Sequence, residues 1–472
     1  MLLVKKWSLE RNFKKANDYA QWQLAAKAYD HSSGLDHWRQ TEQSREYDYA
    51  SIRTRLDRLR SLKAQQDYQE LLYILNEGIH GNMAGMGRAT LYSRAKSGTK
   101  HLVEDYIDEI VDALELLASE GSGDISAEEK RDFFDRASHC FGHTALMLSG
   151  SGSLLFFHVG VIKALVEADL LPTVLSGASG GAIVGSVVST HSDKELSALL
   201  NAEYFLDKLG TIYPRMGISR ARDIEDSIAK FIPDLTFQQA FEHSGRAMNI
   251  SVAPAETHQT SRLLNATTSP SVLIRSAVMA SAAVPGIYPP VTLQALGSKG
   301  ERKPYLPSRK WVDGSVSDDM PAKRLARLYG VNHYIVSQTN PFVLPFVTDS
   351  LRKSSVFGIL QHASRQSSRD WFNAAMLIVD RIDKGNGMPT RATSIMRSLI
   401  NQEYMGDINI LPDSRMTNPF TLLSFPKQKA MQKLIDSGER STWPKLEMIK
   451  QQTRISRTLR SILQGYEVRP VI

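Results

Sequence analysis

Apolar residues recur at gaps of three and four along Tyr49–Ile79. Ile52, Leu56, Leu59 and Leu62 share one side, followed by Tyr68, Leu71, Leu72 and Leu75. This is the period of an amphipathic helix. The stretch GNMAGMGRA breaks the pattern from Gly81, and KHLVEDYIDEIVDALELLASEG resumes it up to Gly121, a glycine placed to cap the helix end. Residues 1–140 therefore predict a helical region. From about residue 143 the pattern changes. Short apolar runs (Ala145–Leu148, Thr173–Leu175, Met248–Ala253, Trp311–Val312, Tyr334–Ser337) alternate with helical segments such as Val159–Ala168 and GGAIVGSVVST. Such alternation predicts an α/β fold over residues 143–340, with a mainly parallel sheet covered by helices on both faces in three α/β/α layers. Residues 341–472 return to helical periodicity, clearest over Met431–Glu467.

Composition narrows the class. The chain has 472 residues, 42% of them hydrophobic and 23% charged, which suits an ordered protein of two or three structural units. A single cysteine, Cys140, excludes an internal disulfide framework and a cysteine-rich metal site, and it suits a reducing compartment. The net charge of +7 is unevenly placed. Residues 341–472 hold 19 Lys and Arg against 11 Asp and Glu, whereas residues 1–340 hold 38 against 39. A basic C-terminal region favours an anionic surface as partner, and no nucleic-acid-binding motif accompanies it. Lys5 and Lys6 interrupt the first apolar residues, so no cleaved secretory signal is expected and the chain reads as cytoplasmic. Two stretches without Asp, Glu, Lys or Arg, Ala137–Ile162 and Leu170–Ser192, are long enough to span a bilayer. Clustered Gly and Ser break both, which reads instead as buried strand–turn–helix.

The chemistry concentrates in the middle third. Gly177-Ala178-Ser179-Gly180-Gly181 lies between an apolar strand and a small-residue helix. Gly177 and Gly181 permit the sharp turn of a nucleophile elbow, which presents Ser179 at a helix N-terminus. Upstream, Ser149-Gly150-Ser151-Gly152-Ser153 joins a strand to a helix, a loop suited to binding a phosphate or a developing oxyanion. Leu155 spoils the dinucleotide fingerprint there, and no Gly-Lys-Ser/Thr makes it a P-loop. A serine nucleophile needs a base. Five histidines follow it (His191, His243, His258, His333, His362), none in a distinctive loop, while Asp313-Gly314 is the single Asp-Gly pair and stands at a strand end. Both a Ser-Asp dyad and a Ser-Asp-His triad stay open on these grounds.

The glycine-rich loop, the G-x-S-x-G elbow and the later Asp-Gly resemble, in order and context, the patatin-like phospholipase family. Ala280–Leu293 is similar to that family's A-x-x-A-x-P-x-x-F/Y-x-P segment, expected at the active-site wall. Gly81–Leu114, WVDGSVSDDMPAKRLARLYGVNHYIVSQTNP and SGERSTWPKLEMIK resemble the subfamily that includes eukaryotic triacylglycerol lipases. The resemblance implies a Ser179–Asp313 dyad without histidine and an oxyanion hole of N–H groups around Gly150, Ser151 and Gly152. It also implies a lipid ester substrate, no cofactor and no metal. Ser151 stands where the family usually has glycine, and a serine at positive φ would be strained. The expectation is a serine lipid acyl hydrolase associated with a membrane surface through basic C-terminal helices. Phospholipase activity is the alternative, as is a non-catalytic lipid-binding scaffold. Two minor signals are an H-x4-D pair, His31 and Asp36, as in glycerolipid acyltransferases, and three tryptophans, Trp7, Trp22 and Trp38, suited to an interface or a core.

Overall fold

The structure is a computed structural model. It describes residues 13, 15–119, 121–122, 124–200, 221–256, 259–285, 287–340, 343–344, 347, 406–413 and 426–468. By packing, the chain divides into two units. One comprises residues up to Thr144 with those from Trp443 onward, and the other lies mainly within Ala145–Thr442.

The first unit is helical. It contains α1 (Tyr19–Ser32), α2 (Tyr49–Gln65), α3 (Tyr68–Gly78), α4 (His101–Ala118) and α5 (Ala127–Phe141). The periodic run from Tyr49 is split in two. Gln66 takes φ +60 and ends α2, and the Asp67 carboxylate accepts the Glu70 N–H to start α3. Helix α4 buries Leu102, Tyr106, Ile110, Leu114 and Leu117 at helical spacing and packs against α2, which buries Ile52, Leu56, Leu59 and Leu62. It ends before Gly121, because Ser119 leaves the helix with extended backbone. Trp22 is buried in this unit, and Trp38 lies beneath the Lys100 ammonium, 4.4 Å from its ring centre. Trp22 serves the interior and Trp38 is half-buried; Trp7 and the N-terminal Lys5 and Lys6 lie outside the described residues. His31 and Asp36 pair with each other at 2.9 Å on the surface.

The second unit is built on a seven-stranded sheet. Its strands are β1 (His143–Leu148), β2 (Val174–Gly177), β3 (Ala247–Pro254), β4 (Arg262–Leu264), β7 (Trp311–Asp313), β8 (Val331–Ser337) and β9 (Ile408–Ile410). The order is β4-β3-β2-β1-β8-β9, with β7 also paired to β3; β5 (Gln294–Leu296) and β6 (Arg302–Pro304) form a separate ribbon. β1, β2 and β3 run parallel, as do β8 and β9, whereas β4 and β7 run antiparallel to β3. Ala145–Leu148 are all buried, as a strand covered on both faces requires. Helices α6 (Leu155–Glu167), α7 (Gly180–Ser189), α8 (Ala221–Phe231), α9 (Phe237–Ser244), α10 (Ile274–Ser281) and α11 (Ala322–Tyr329) flank the sheet. The register sets Leu148 beside Gly177 and Gly177 beside Ile250, so the loops after β1 and β2 leave the same carboxyl edge side by side. Open α/β sheets bind ligands at that edge.

The charge-free stretches resolve into buried strand and helix, and no described helix is long and apolar enough to cross a membrane. The helix Gln428–Val468 continues through Pro444. Its basic residues are mostly engaged rather than displayed. Lys445 is buried, Arg454 pairs with Asp108, and burial lowers the Arg460 pKa. Lys427, at the entry to this helix, and Lys429 and Lys433 in its first turns are exposed.

Candidate active site

Ser179 occupies the turn between β2 and α7 with φ +50 and ψ −121, a conformation costly for a residue with a side chain. Its surroundings require it. A side chain at Gly177 would collide with the backbone of Gly181, and one at Gly181 with the carbonyls of Leu148 and Ser149. The two glycines therefore let α7 start directly on the sheet edge. The Ser179 N–H donates to Ser281 Oγ at 2.9 Å, and Ser281 Oγ donates to the Ser251 carbonyl at 2.8 Å. Ser281 thus buttresses the elbow from α10. It lies within the Ala280–Leu293 segment singled out in the sequence, but nothing in the pattern marks its role.

Asp313 ends β7 opposite Val252 of β3 and is buried. Its N–H donates to the Ala283 carbonyl, and its carboxylate accepts the Ser315 N–H at 2.8 Å. Gly314 passes so close to the Ser251 backbone that no side chain fits there. Desolvation pushes the Asp313 carboxyl up to about 6; hydrogen bonds from Ser315 and from the Ser179 hydroxyl oppose the rise. The structure thus brings Ser179 and Asp313, 134 positions apart in sequence, close enough for the hydroxyl to bear on the carboxyl.

The loop after β1 is held rigidly from beneath. Ser149 N–H donates to the Ser337 carbonyl, and Thr339 N–H donates to Ser149 Oγ at 2.8 Å. His158 of α6 lies within hydrogen-bond distance of Ser337 Oγ and the Ser149 carbonyl, at 2.7 and 3.1 Å. Complete burial pushes His158 down to about 4, so it stays neutral and structural. Ser151 has φ −139, and the positive φ of the loop falls on Gly152 at +51. The anticipated strain at Ser151 is therefore absent. The expectation for Gly150 is revised: its N–H already donates to Asp319 Oδ1 at 2.8 Å. The N–H groups of Ser151, Gly152 and Gly180 make no hydrogen bond to protein among the described residues. Asp319 is a second buried carboxyl, raised to about 7 chiefly by desolvation and also by the charges of Asp313 and Asp318. Sequence reading missed it because it lies in an acidic pair that reads as an ordinary turn.

Among the described residues, no histidine contributes to the shift at Asp313. His191 lies 2.8 Å from the Val187 carbonyl, and His243 pairs with Glu195. His258 and His362 lie outside the described residues. A cavity of about 460 Å³ opens against the Met279–Ala283 stretch, whose Ser281 and Ala283 hold the elbow and Asp313. Ile228, Leu273, Met279, Ala282, Tyr288 and Val291 contribute to its lining. Of its charged lining residues, Arg302 pairs with Asp234, Arg275 donates to the carbonyls of Ile232 and Ala229, and Glu225 is exposed. Ala283, whose carbonyl fixes Asp313, also lines it.

Residues 146–326 match the family model described as patatin-like phospholipase, and residues 4–139 match a domain of unknown function. The chain is 32% identical to a patatin-like phospholipase domain-containing protein of Aspergillus fumigatus, over 98% of this chain and 69% of that protein. This chain belongs to the patatin-like phospholipase domain family. It is also 36% identical to triacylglycerol lipase 4 of Saccharomyces cerevisiae, over 92% of this chain and 50% of that protein. The chain spans about half the length of the first curated relatives it matches. Among solved structures, VipD from Legionella pneumophila aligns with a TM-score of 0.32 and 15% identity over 69% of this chain and 67% of that one. In the patatin-like frame, the Ala280–Pro290 segment does two things at once. Ser281 and Ala283 hold the elbow and Asp313, while Ala282, Tyr288 and Pro289 line the cavity.

Proposed function

We propose that this chain is a serine lipid acyl hydrolase that uses a Ser179–Asp313 dyad. The observation that carries this reading is the Ser179 hydroxyl, on a strained elbow, beside a buried carboxylate with no histidine in its hydrogen-bond shell among the described residues. Ser179 Oγ attacks the ester carbonyl while its proton passes to Asp313. The tetrahedral oxyanion takes hydrogen bonds from the free N–H groups of Ser151 and Gly152, next to the positive end of α7. Collapse breaks the bond to the alcohol oxygen, which takes the proton back from Asp313. Water then attacks the acyl-enzyme, giving one proton to Asp313, and the fatty acid leaves as Ser179 is reprotonated. The mostly apolar cavity, lined by Ile228, Leu273, Met279 and Val291, suits the acyl chain, since an uncompensated polar group would be costly there.

Triacylglycerol is the favoured substrate, supported by likeness to the yeast lipase; phospholipid is the second reading, supported by the family description. The chain would act in the cytoplasm as a peripheral protein, drawn to anionic lipid in part by the basic excess of residues 341–472, including Lys427, Lys429 and Lys433. The test is fatty-acid release by wild type and Ser179→Ala on triolein emulsion and on phospholipid vesicles. Release that vanishes in the variant supports the nucleophile, and the preferred substrate selects lipase or phospholipase. Equal release by both proteins would refute the assignment.

A further inference from the structure

We infer that the rim around this cavity, made by Ile287, the β5–β6 ribbon and the loop Leu306–Lys310, is the face that docks on an anionic phospholipid surface. The inference rests on the catalytic reading, because the cavity it surrounds is that reading's acyl site. Five large hydrophobic side chains are prominently exposed among the described residues, and two of them are here: Ile287, 46% exposed, and Leu306, 36% exposed. Both adjoin segments that line the cavity. Tyr305 N–H donates to the Leu293 carbonyl, and Val291 exchanges two hydrogen bonds with Trp311. The loop Leu306–Lys310 therefore leaves and returns beside Val291 and Thr292, which line the cavity. Ile287 immediately precedes Tyr288 and Pro289, which also line it.

Leu306 holds φ +53, a left-handed conformation unfavourable for a leucine. Its carbonyl accepts the Arg309 N–H, which closes the turn. An exposed apolar side chain on a strained turn gains nothing from water, and burial in a headgroup layer would repay it. The charges fit the same occupant. From Gly297 to Lys310 there are five basic residues and one acidic, Glu301. Lys299, Lys303 and Lys310 are exposed and form no ion pair among the described residues. Arg302, by contrast, is already paired with Asp234. Separated apolar side chains ringed by lysines match a phosphate headgroup layer better than a protein partner, whose contact needs a continuous apolar patch.

The experiment uses the whole chain with vesicles of phosphatidylcholine, with and without phosphatidylserine, and a soluble short-chain ester. The variants are Leu306→Gly, which suits the positive φ, and the triple variant Lys299→Glu/Lys303→Glu/Lys310→Glu. Wild type should bind more tightly when phosphatidylserine is present. The triple variant should bind it about 100-fold or more weakly, each lysine at such a surface being worth about 1 kcal/mol. Leu306→Gly should weaken binding without changing its salt dependence, and it keeps the test open if the triple variant misfolds. Both variants should hydrolyse the soluble ester as wild type does. Wild-type binding indifferent to phosphatidylserine, or variants that bind like wild type, would overturn the inference. Ester hydrolysis that survives Ser179→Ala would instead refute the catalytic reading.

Discussion

Replacing Asp313 with asparagine should make the chain inactive and, at neutral pH, more stable. Burial raises the Asp313 carboxyl from 3.8 to about 6. Holding it ionised in the folded chain therefore costs about 3 kcal/mol at most, at 1.36 kcal/mol per pKa unit. The folded chain keeps Asp313 protonated up to about pH 6, whereas the unfolded chain releases that proton near pH 4. Between these values the folded state binds more protons, so stability falls as pH rises. An amide at position 313 has no such titration, can still accept the Ser315 N–H, and can donate to Ser179 Oγ. The stability difference between Asp313→Asn and wild type should be small at pH 4 and grow in favour of the variant to pH 8, by up to about 3 kcal/mol. Asp319 titrates in both proteins, and because the Asp313 charge helps raise it, the comparison reads Asp313 together with that coupling. Wild-type hydrolysis should lose its base below about pH 6, falling roughly tenfold per pH unit in kcat/KM. Denaturant unfolding across pH, with parallel rates on a soluble ester, measures both. A stability difference that is flat with pH, or that turns against the variant as pH rises, would refute an Asp313 strained by burial.

Ser179→Gly should abolish hydrolysis while raising stability by about 1 kcal/mol in denaturant unfolding, because glycine accepts φ +50 without penalty. Ser281→Ala leaves the Ser179 N–H and the Ser251 carbonyl without their partner, and should cost about 1–3 kcal/mol of stability and lower kcat. Asp319→Ala should free the Gly150 N–H and lower kcat by up to about 100-fold with little change in KM. Asp319→Asn, which still offers an oxygen to Gly150, should recover most of that loss; equal losses in both variants would remove the positioning role.

The central strands and the elbow were legible because their causes are local. Ala145–Leu148 is a continuous apolar run, and Gly177 and Gly181 stand where the backbone crowding of a strand-to-helix turn admits no side chain. The proposed pairing of Asp313 with Ser179 came only through family resemblance, since β7 joins the sheet by antiparallel pairing with β3, and Asp-Gly alone marks a turn. Three features were not legible. The end of α4 before Gly121 depends on Ser119 closing the helix, and a serine there carries no distinctive signal. The engagement of Gly150 depends on Asp319, 169 residues away, and no spacing rule links them. The charge of the C-terminal helix was legible but its exposure was not, because Lys445 and Arg460 are basic residues held within the protein.

Two buried groups, Asp313 and His158, have been pushed in opposite directions, and that opposition supports the proposed dyad. Burial raises a carboxyl toward neutrality and lowers an imidazole away from it. His158, at about 4, has lost the capacity to take a proton near pH 7 and instead links the loops after β1 and β8. Asp313, at about 6, remains ionised at neutral pH but is far more basic than an exposed aspartate. A general base works best with a pKa close to the operating pH. The same desolvation thus brings the carboxylate into the range where an imidazole usually serves and disqualifies the histidine that the fold places nearby. A triad would require a third group to hold an imidazole in its working tautomer. Here the carboxylate is fixed directly, by the Ser315 N–H on its oxygen and by the Ala283 carbonyl on its own N–H, so the proposed base would be oriented without an intermediary.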